Sequence, residues 1–285
     1  MFEFFRSIVA ITVPAFVIST MLNVGLTQKP STMVGYLRDW RFVIRMLVAN
    51  FVAVPLVMLL ILRITSFDPE VQAGLLVFSL GAGAPFLIKL TQIAEHRVSL
   101  GAAVMMLLML VTIAYMPLVI PLFREGSSVD AGTIAGTLLR QMLLPMIAGM
   151  AIAALVSGFA RAIQPWVAIL SNILLYVVIA ATFIGYFPRL GDIVGSGALL
   201  ATVVFVLAAF GSGYTAGLGK DHLEDVGALG TAQRNTAAGL IVAMQDFRDP
   251  NVLVVITLAN TVGLVLLIFL ARLLSRDNPA HVAAV

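Results

Sequence analysis

The sequence predicts an all-α polytopic membrane protein on three observations: 61% of its 285 residues are hydrophobic, only 11% are charged, and mean hydropathy is +1.06. A soluble domain carries about 25% charged residues, and here the shortage runs along the whole chain. The apolar runs are rich in Leu, Ile, Met and Ala and lack the strict alternation of a β-barrel's short strands, so helices are expected. Zero cysteines exclude a disulfide framework, thiolate metal sites and cysteine nucleophiles. The excess of 17 Lys+Arg over 14 Asp+Glu belongs to loops at a bilayer surface. It implies the lipid bilayer as a partner and no nucleic acid.

Crossing a hydrocarbon core of about 30 Å takes roughly 20 helical residues. Cutting the chain where charges and turn residues cluster gives nine transmembrane helices, at 5–27, 41–63, 71–94, 97–122, 131–157, 165–187, 193–217, 224–247 and 251–274. The first has no small-residue cleavage site before a polar stretch, so it is expected to be a retained helix. Segment 28–40, with Lys29, Pro30, Tyr36, Arg38 and Trp40, fits an interfacial linker. The third and eighth spans are interrupted. Matching spans one to four with six to nine makes residues 1–285 a single domain of two half-repeats, about 1–125 and 160–275, joined by the span at 131–157. An odd offset of five spans inverts the second half. Arg6, Arg63, Arg124, Arg189 and Arg248 fall on one side, against Lys29, Arg38, Arg41, Arg45, Arg97, Arg161, Lys220, Arg272 and Arg276 on the other. The positive-inside rule then sets the amino terminus outside and the carboxy terminus in the cytoplasm, in an inner membrane.

Three cations have no loop to occupy: Lys89, Arg140 and Arg234 lie inside spans, whereas every Asp and Glu lies in a loop or at a span end. A charge at mid-bilayer costs at least ~2.5 kcal/mol, so it persists by facing water, a partner or a ligand, or by snorkelling to the interface or bonding free carbonyls. Unpaired positive charge inside a membrane suits an anion.

The third span holds Gly81-Ala82-Gly83-Ala84-Pro85, and the eighth holds the run from Gly227 to Gly239 that includes Gly230, Thr231, Gln233, Arg234, Asn235 and Thr236. Proline removes a donor and clashes with the preceding turn, while glycine, threonine and asparagine let backbone unwind beside a cavity or protein. Gly83, Pro85, Gly230 and Gly239 are the candidate helix-breaking residues. Paired interruptions at matching positions point to the midplane site of a secondary transporter, where half-helix amino termini face an anion. Lys89 and Arg234 would each add a full charge there. The expected substrate is a small organic anion, bound by Asn50, Lys89, Arg234, Asn235 and Thr236. Thr91, Gln92, Thr231, Gln233 and Arg140 are accessory candidates.

With these residues in view the chain resembles the bile acid:sodium symporter superfamily. The matching stretches are Leu22 to Thr27, Asn50 to Pro55, Ala94 to Leu100, Tyr115 to Leu118 and Gln233 to Thr236. The resemblance implies a core domain with two crossed discontinuous helices, a panel domain that moves against it, and organic-anion substrates. It also marks departures. Where sodium-dependent members carry a Glu-Val-Gly-x-Gln-Asn run, this chain has Gly230 to Asn235, so the ion-binding glutamate is Gly230 and the ion-binding glutamine is Arg234. The usual Ser-Asn pair of the first broken helix is Leu87-Ile88, the helper positions are Gly101 and Met105, and Asn50 stands where glutamine is common.

Sodium needs hard oxygen ligands, and a guanidinium in their midst would repel it by about 4 kcal/mol at ~4 Å and an effective dielectric near 20. Arg234, assisted by Lys89, is therefore expected to act as a tethered cation, with no cofactor and with sodium disfavoured. Lys89 neutralised by burial could instead carry a proton. A sodium-coupled symporter and an anion channel lined by the same cations are the alternatives. His96, His222 and His281 are too scattered in sequence for a metal cluster, and no catalytic constellation accompanies Ser196 or Ser212, so no enzyme is expected.

Overall fold

The computed structural model describes residues 2–28, 38–123, 131–185, 195–219, 223–247 and 251–276. Among these the chain is all helical, and its one element of strand pairing is an isolated antiparallel bridge between Ala82 and Arg234. Among the described residues seven helices are long and apolar enough to cross a membrane. They are α1 (Phe2–Thr27), α2 (Trp40–Ile64), α5 (Val98–Val119, ending in a 3₁₀ turn Ile120–Phe123), α6 (Ala131–Leu155), α7 (Ser157–Gly185), α8 (Ala198–Gly217) and α11 (Asn251–Arg276). Two interrupted pairs occupy the places of the third and eighth spans: α3 (Pro69–Leu80) with α4 (Leu87–Ile93), and α9 (Leu223–Ala232) with α10 (Thr236–Asp246).

Two of the long helices widen into a π turn, at Ala49–Ala53 in α2 and Leu139–Leu143 in α6. Each turn ends just before Val54-Pro55 or Leu144-Pro145. Proline cannot donate to the carbonyl four residues back and its ring crowds that carbonyl, so the wider turn relieves the clash. In both turns the second residue reaches back with its side chain: Asn50 Nδ2 donates to Met46 O and Arg140 Nε to Gly136 O, each at 3.0 Å. Arg140 is thus an exposed residue closing its own helix, which accounts for the cation in that span.

The helices pack as two groups. In one, α1 lies along both α6 and α7, and at the α1/α6 contact a Cβ on Gly25 would sit 2.1 Å from Met146 O. In the other, α8 packs on α9, and α3 on α11. Gly213 and Gly227 let α8 and α9 touch backbone to backbone, a Cβ on Gly213 falling 2.2 Å from Gly227 O. The groups meet where α1 touches α10, α7 touches α11, and α6 touches α5 and α10.

The second interruption is narrower than the polar run in the sequence. Gly230 lies within α9 and Gly239 within α10, so neither breaks the helix; only residues 233–235 are non-helical. Gly and Thr are tolerated inside a helix once tertiary packing supplies the stability that propensity withholds. Lys29, Pro30, Tyr36, Arg124, Arg189, Lys220, His222, Arg248 and His281 lie outside the described residues, and with them much of the charge that would set sidedness. At the start of α2, Asp39 accepts a hydrogen bond from Phe42 N, and the Arg41 guanidinium lies 5.6 Å from the Trp40 ring centroid.

Candidate functional site

The two breaks meet backbone to backbone. In the first, residues 81–86 leave the helix, and Gly83 takes a φ of +76°. A Cβ there would lie 2.1 Å from Met109 N and 2.6 Å from Met105 O, so only glycine fits both the conformation and the space. Thr112 of α5 caps the loosened strand of chain, its Oγ1 accepting from Ala82 N and donating to Ala82 O, both at 2.9 Å. Asn235 joins the second break to the first: its N–H donates to Gly81 O at 3.0 Å, and its Nδ2 to Ala82 O at 3.3 Å and Gly83 O at 3.2 Å. Its Oδ1 accepts from Ala238 N, which makes Asn235 the amino-terminal cap of α10.

Arg234 stands behind this junction and is 1% exposed. Nη1 donates to Asn50 Oδ1 and to Thr231 O, each at 3.0 Å, and Nη2 donates to Ser79 O. Ser79 and Thr231 lie in the last turns of α3 and α9. The guanidinium therefore closes two helix carboxy-terminal ends, where unpaired carbonyls carry partial negative charge. A planar fork can serve several acceptors at once, which a lysine ammonium does less well. Asn50 is fixed in turn, its Nδ2 donating to Met46 O at 3.0 Å and Thr231 Oγ1 at 2.9 Å.

Next to this polar knot the packing is aliphatic. At Gly230, where the resemblance would put a carboxylate, a Cβ would come 2.9 Å from Val104 Cγ1 and 3.1 Å from Leu87 Cδ2. Met105 is fully buried, and a Cβ at Gly101 would lie 2.2 Å from Thr91 Oγ1, whose hydroxyl donates to Leu87 O. Apolar side chains thus crowd Gly230, and the Arg234 guanidinium fills the polar space between the ends of α3 and α9.

A cavity of about 600 Å³ lies beside the junction, walled by α1 and α7 on one side and by the breaks, α4, α10 and α11 on the other. Of the residues singled out from sequence, Pro85, Lys89, Gln92, Gln233, Arg234, Asn235 and Thr236 line it. Lys89 and Gln92 are exposed on α4, and Gln233 is nearly sealed, its Nε2 donating to Arg234 O at 3.3 Å. Thr236 Oγ1 donates to Asn260 Oδ1 at 2.6 Å. Asn50, Thr91, Thr231 and Arg140 are not part of the wall. The first three are buried in hydrogen bonds to protein, and Arg140 is held by Gly136 O.

Sequence reasoning passed over the wall made by Phe16, Thr20 and Asn23 on α1, Gln28 just after it, and Ser171 and Asn172 on α7, and also Asn260 on α11. The available signal was a scatter of single polar residues in apolar runs, weaker than a charge or a glycine cluster. Among the described lining residues the cavity has two cations and no carboxylate. His96 lies in a loop as expected, between α4 and α5, and is buried there with Nε2 2.9 Å from Asp225 Oδ2, tying the chain after α4 to the first turn of α9.

Residues 14–191 match the family model described as Sodium Bile acid symporter family, a stretch that includes the first break and stops short of the second. No curated protein matches the chain.

Proposed function

Because the chain belongs to the Sodium Bile acid symporter family, a family of transporters and not of enzymes, we propose that it is a secondary transporter of small organic anions working by alternating access, independent of sodium, with Arg234 in the place of the coupling cation. On this reading the two interrupted pairs add two spans to the seven continuous ones. The nine form an inverted repeat, with α1, α6 and α7 as the panel and the remaining helices as the core. The amino terminus is external and the carboxy terminus cytoplasmic.

The observation that carries the proposal is the buried guanidinium at the joined carboxy-terminal ends of α3 and α9, beside a cavity where Lys89 is exposed and the described lining residues include no acid. Helix carboxy termini and unwound carbonyls are the groups that hold coupling cations in broken-helix transporters. Arg234 supplies that charge permanently, so the core needs no dissolved ion to assemble. Lys89 remains as the charge that meets the substrate. Asn235 holds the two breaks together and Thr236 contributes to the cavity wall.

Uptake of a radiolabelled organic acid into proteoliposomes tests this. Replacing external sodium by potassium is expected to leave uptake unchanged, and an outward gradient of unlabelled acid is expected to drive exchange. The family's name favours a second reading, sodium-coupled symport, under which uptake collapses in potassium. Single-channel currents without exchange would instead identify an anion channel.

A further inference from the structure

The α7 wall of the cavity carries a polar side chain that the chemistry above does not use. On α7 the lining residues are Ala168, Ser171, Asn172, Leu175, Val178 and Ile179. This stripe has the three- and four-residue spacing of one helix face. Trp166, Ile169, Leu170, Ile173 and Tyr176 are exposed elsewhere on the same helix, as expected of a lipid-facing surface.

The neighbouring polar groups of this wall are committed. Ser171 Oγ shares a hydrogen bond with Thr20 Oγ1, and Gln164 Nε2 donates to Asn23 Oδ1 at 3.0 Å. Both bonds tie α7 to α1 and leave those side chains little freedom. Asn172 differs. It is exposed on the cavity wall, and no described residue hydrogen-bonds its amide. An amide within an apolar transmembrane stripe is costly unless it meets water or a ligand, and the cavity provides for either.

We infer that Asn172 is a specificity-determining residue of the transport site, reading a hydroxyl or comparable hydrogen-bonding group that the organic anion carries apart from its charged end. The inference rests on the anion reading above. Lys89 takes the charge from the core side and Asn172 takes the second polar group from the panel side. An amide offers both a donor and an acceptor, so it pairs with a hydroxyl in either sense. A hydroxy acid would then touch both groups of helices at once, whereas a plain alkanoate would engage only Lys89. Sites that hydrogen-bond a substrate hydroxyl discriminate strongly against analogues without it.

Matched probes separate the two readings: 2-hydroxyisocaproate against isocaproate, and 3-hydroxybutyrate against butyrate, titrated by calorimetry on the purified full chain. The wild type is expected to bind each hydroxy acid about tenfold more tightly than its partner. Asn172→Leu is expected to erase that ratio, hydroxy-acid affinity falling about tenfold relative to alkanoate affinity, and Asn172→Gln to keep part of it. Lys89→Gln is expected to weaken all four probes together. Equal binding within both pairs, or an unchanged ratio in Asn172→Leu, overturns the assignment of Asn172 and leaves the anion reading standing. Absence of binding by any of the four to the wild type, or four unchanged affinities in Lys89→Gln, overturns the anion reading itself. Should Asn172→Leu fail to fold, the Asn172→Gln ratio decides the matter: undiminished preference sinks the proposal.

Discussion

The two helix interruptions perform one topological task with opposite chemistry. The break at 81–86 is a set of acceptors: Gly81, Ala82 and Gly83 offer carbonyls to Asn235, and Ser79 offers one to Arg234. The break at 233–235 is a set of donors, with the Arg234 guanidinium and the Asn235 amide supplying what the other side lacks. The first break depends on small residues that let backbone come close, and the second on side chains that reach. A membrane tolerates unwound backbone only where its polar groups are repaired by protein or water, and here each break repairs the other. Substitutions on the first side should therefore act through space, and on the second through lost hydrogen bonds.

The sharpest test of that difference is Gly83→Ala. Its methyl group would be driven into the backbone of α5 at Met109 N, with φ held at +76°. Neither α5 nor the unwound segment can give way without losing hydrogen bonds, so a loss of about 4 kcal/mol or more is expected. It would be read as failure to recover monodisperse protein or a collapse of Tm in detergent. A variant of wild-type stability would break the comparison outright.

Arg234→Met comes next. It keeps the bulk and removes the donors, stranding Asn50 Oδ1, Thr231 O and Ser79 O in a buried place. A cost of about 3 kcal/mol is expected, visible as a lowered Tm that anions do not restore. If Arg234→Gln acquires a thermal response to sodium that the wild type lacks, the guanidinium and the ion occupy equivalent positions. Thr112→Val should have the smallest effect of the three. It unpairs Ala82 N and leaves Ala82 O only its bond from Asn235 Nδ2, for about 1 to 2 kcal/mol, and faster amide exchange confined to the first break would mark the loss as local.

The breaks were legible in the sequence because their composition has few other uses. Gly81-Ala82-Gly83-Ala84-Pro85 and the run around Gln233-Arg234-Asn235 cannot sit comfortably in lipid-facing helix. Their extent was not legible: Gly230 and Gly239 lie inside helices, because packing against Leu87 and Val104 at one and Ile256 at the other stabilises what propensity disfavours. The π turns were invisible as well. Pro55 and Pro145 follow them, yet Pro14, Pro117 and Pro165 sit inside helices assigned as α throughout, so proline alone does not decide between a widened turn and a tolerated defect. Asn50 was singled out in the sequence as a substrate-binding residue, and in the structure its buried amide bonds Met46, Thr231 and Arg234. Two of its partners, Thr231 and Arg234, lie nearly two hundred positions away, and no local pattern encodes them.

Sequence alone determined the helical class, the approximate places of the long apolar helices, the two interruptions and the cation Arg234 within the second. All follow from a local rule, the cost of placing polar atoms in hydrocarbon, which each segment obeys separately. Tertiary structure alone decided which oxygens receive Arg234, that Thr112 caps the first break, and that α1 and α7 complete the cavity. A stripe facing lipid and a stripe facing a cavity can share the same apolar residues and the same period, so only the arrangement of the other helices distinguishes them.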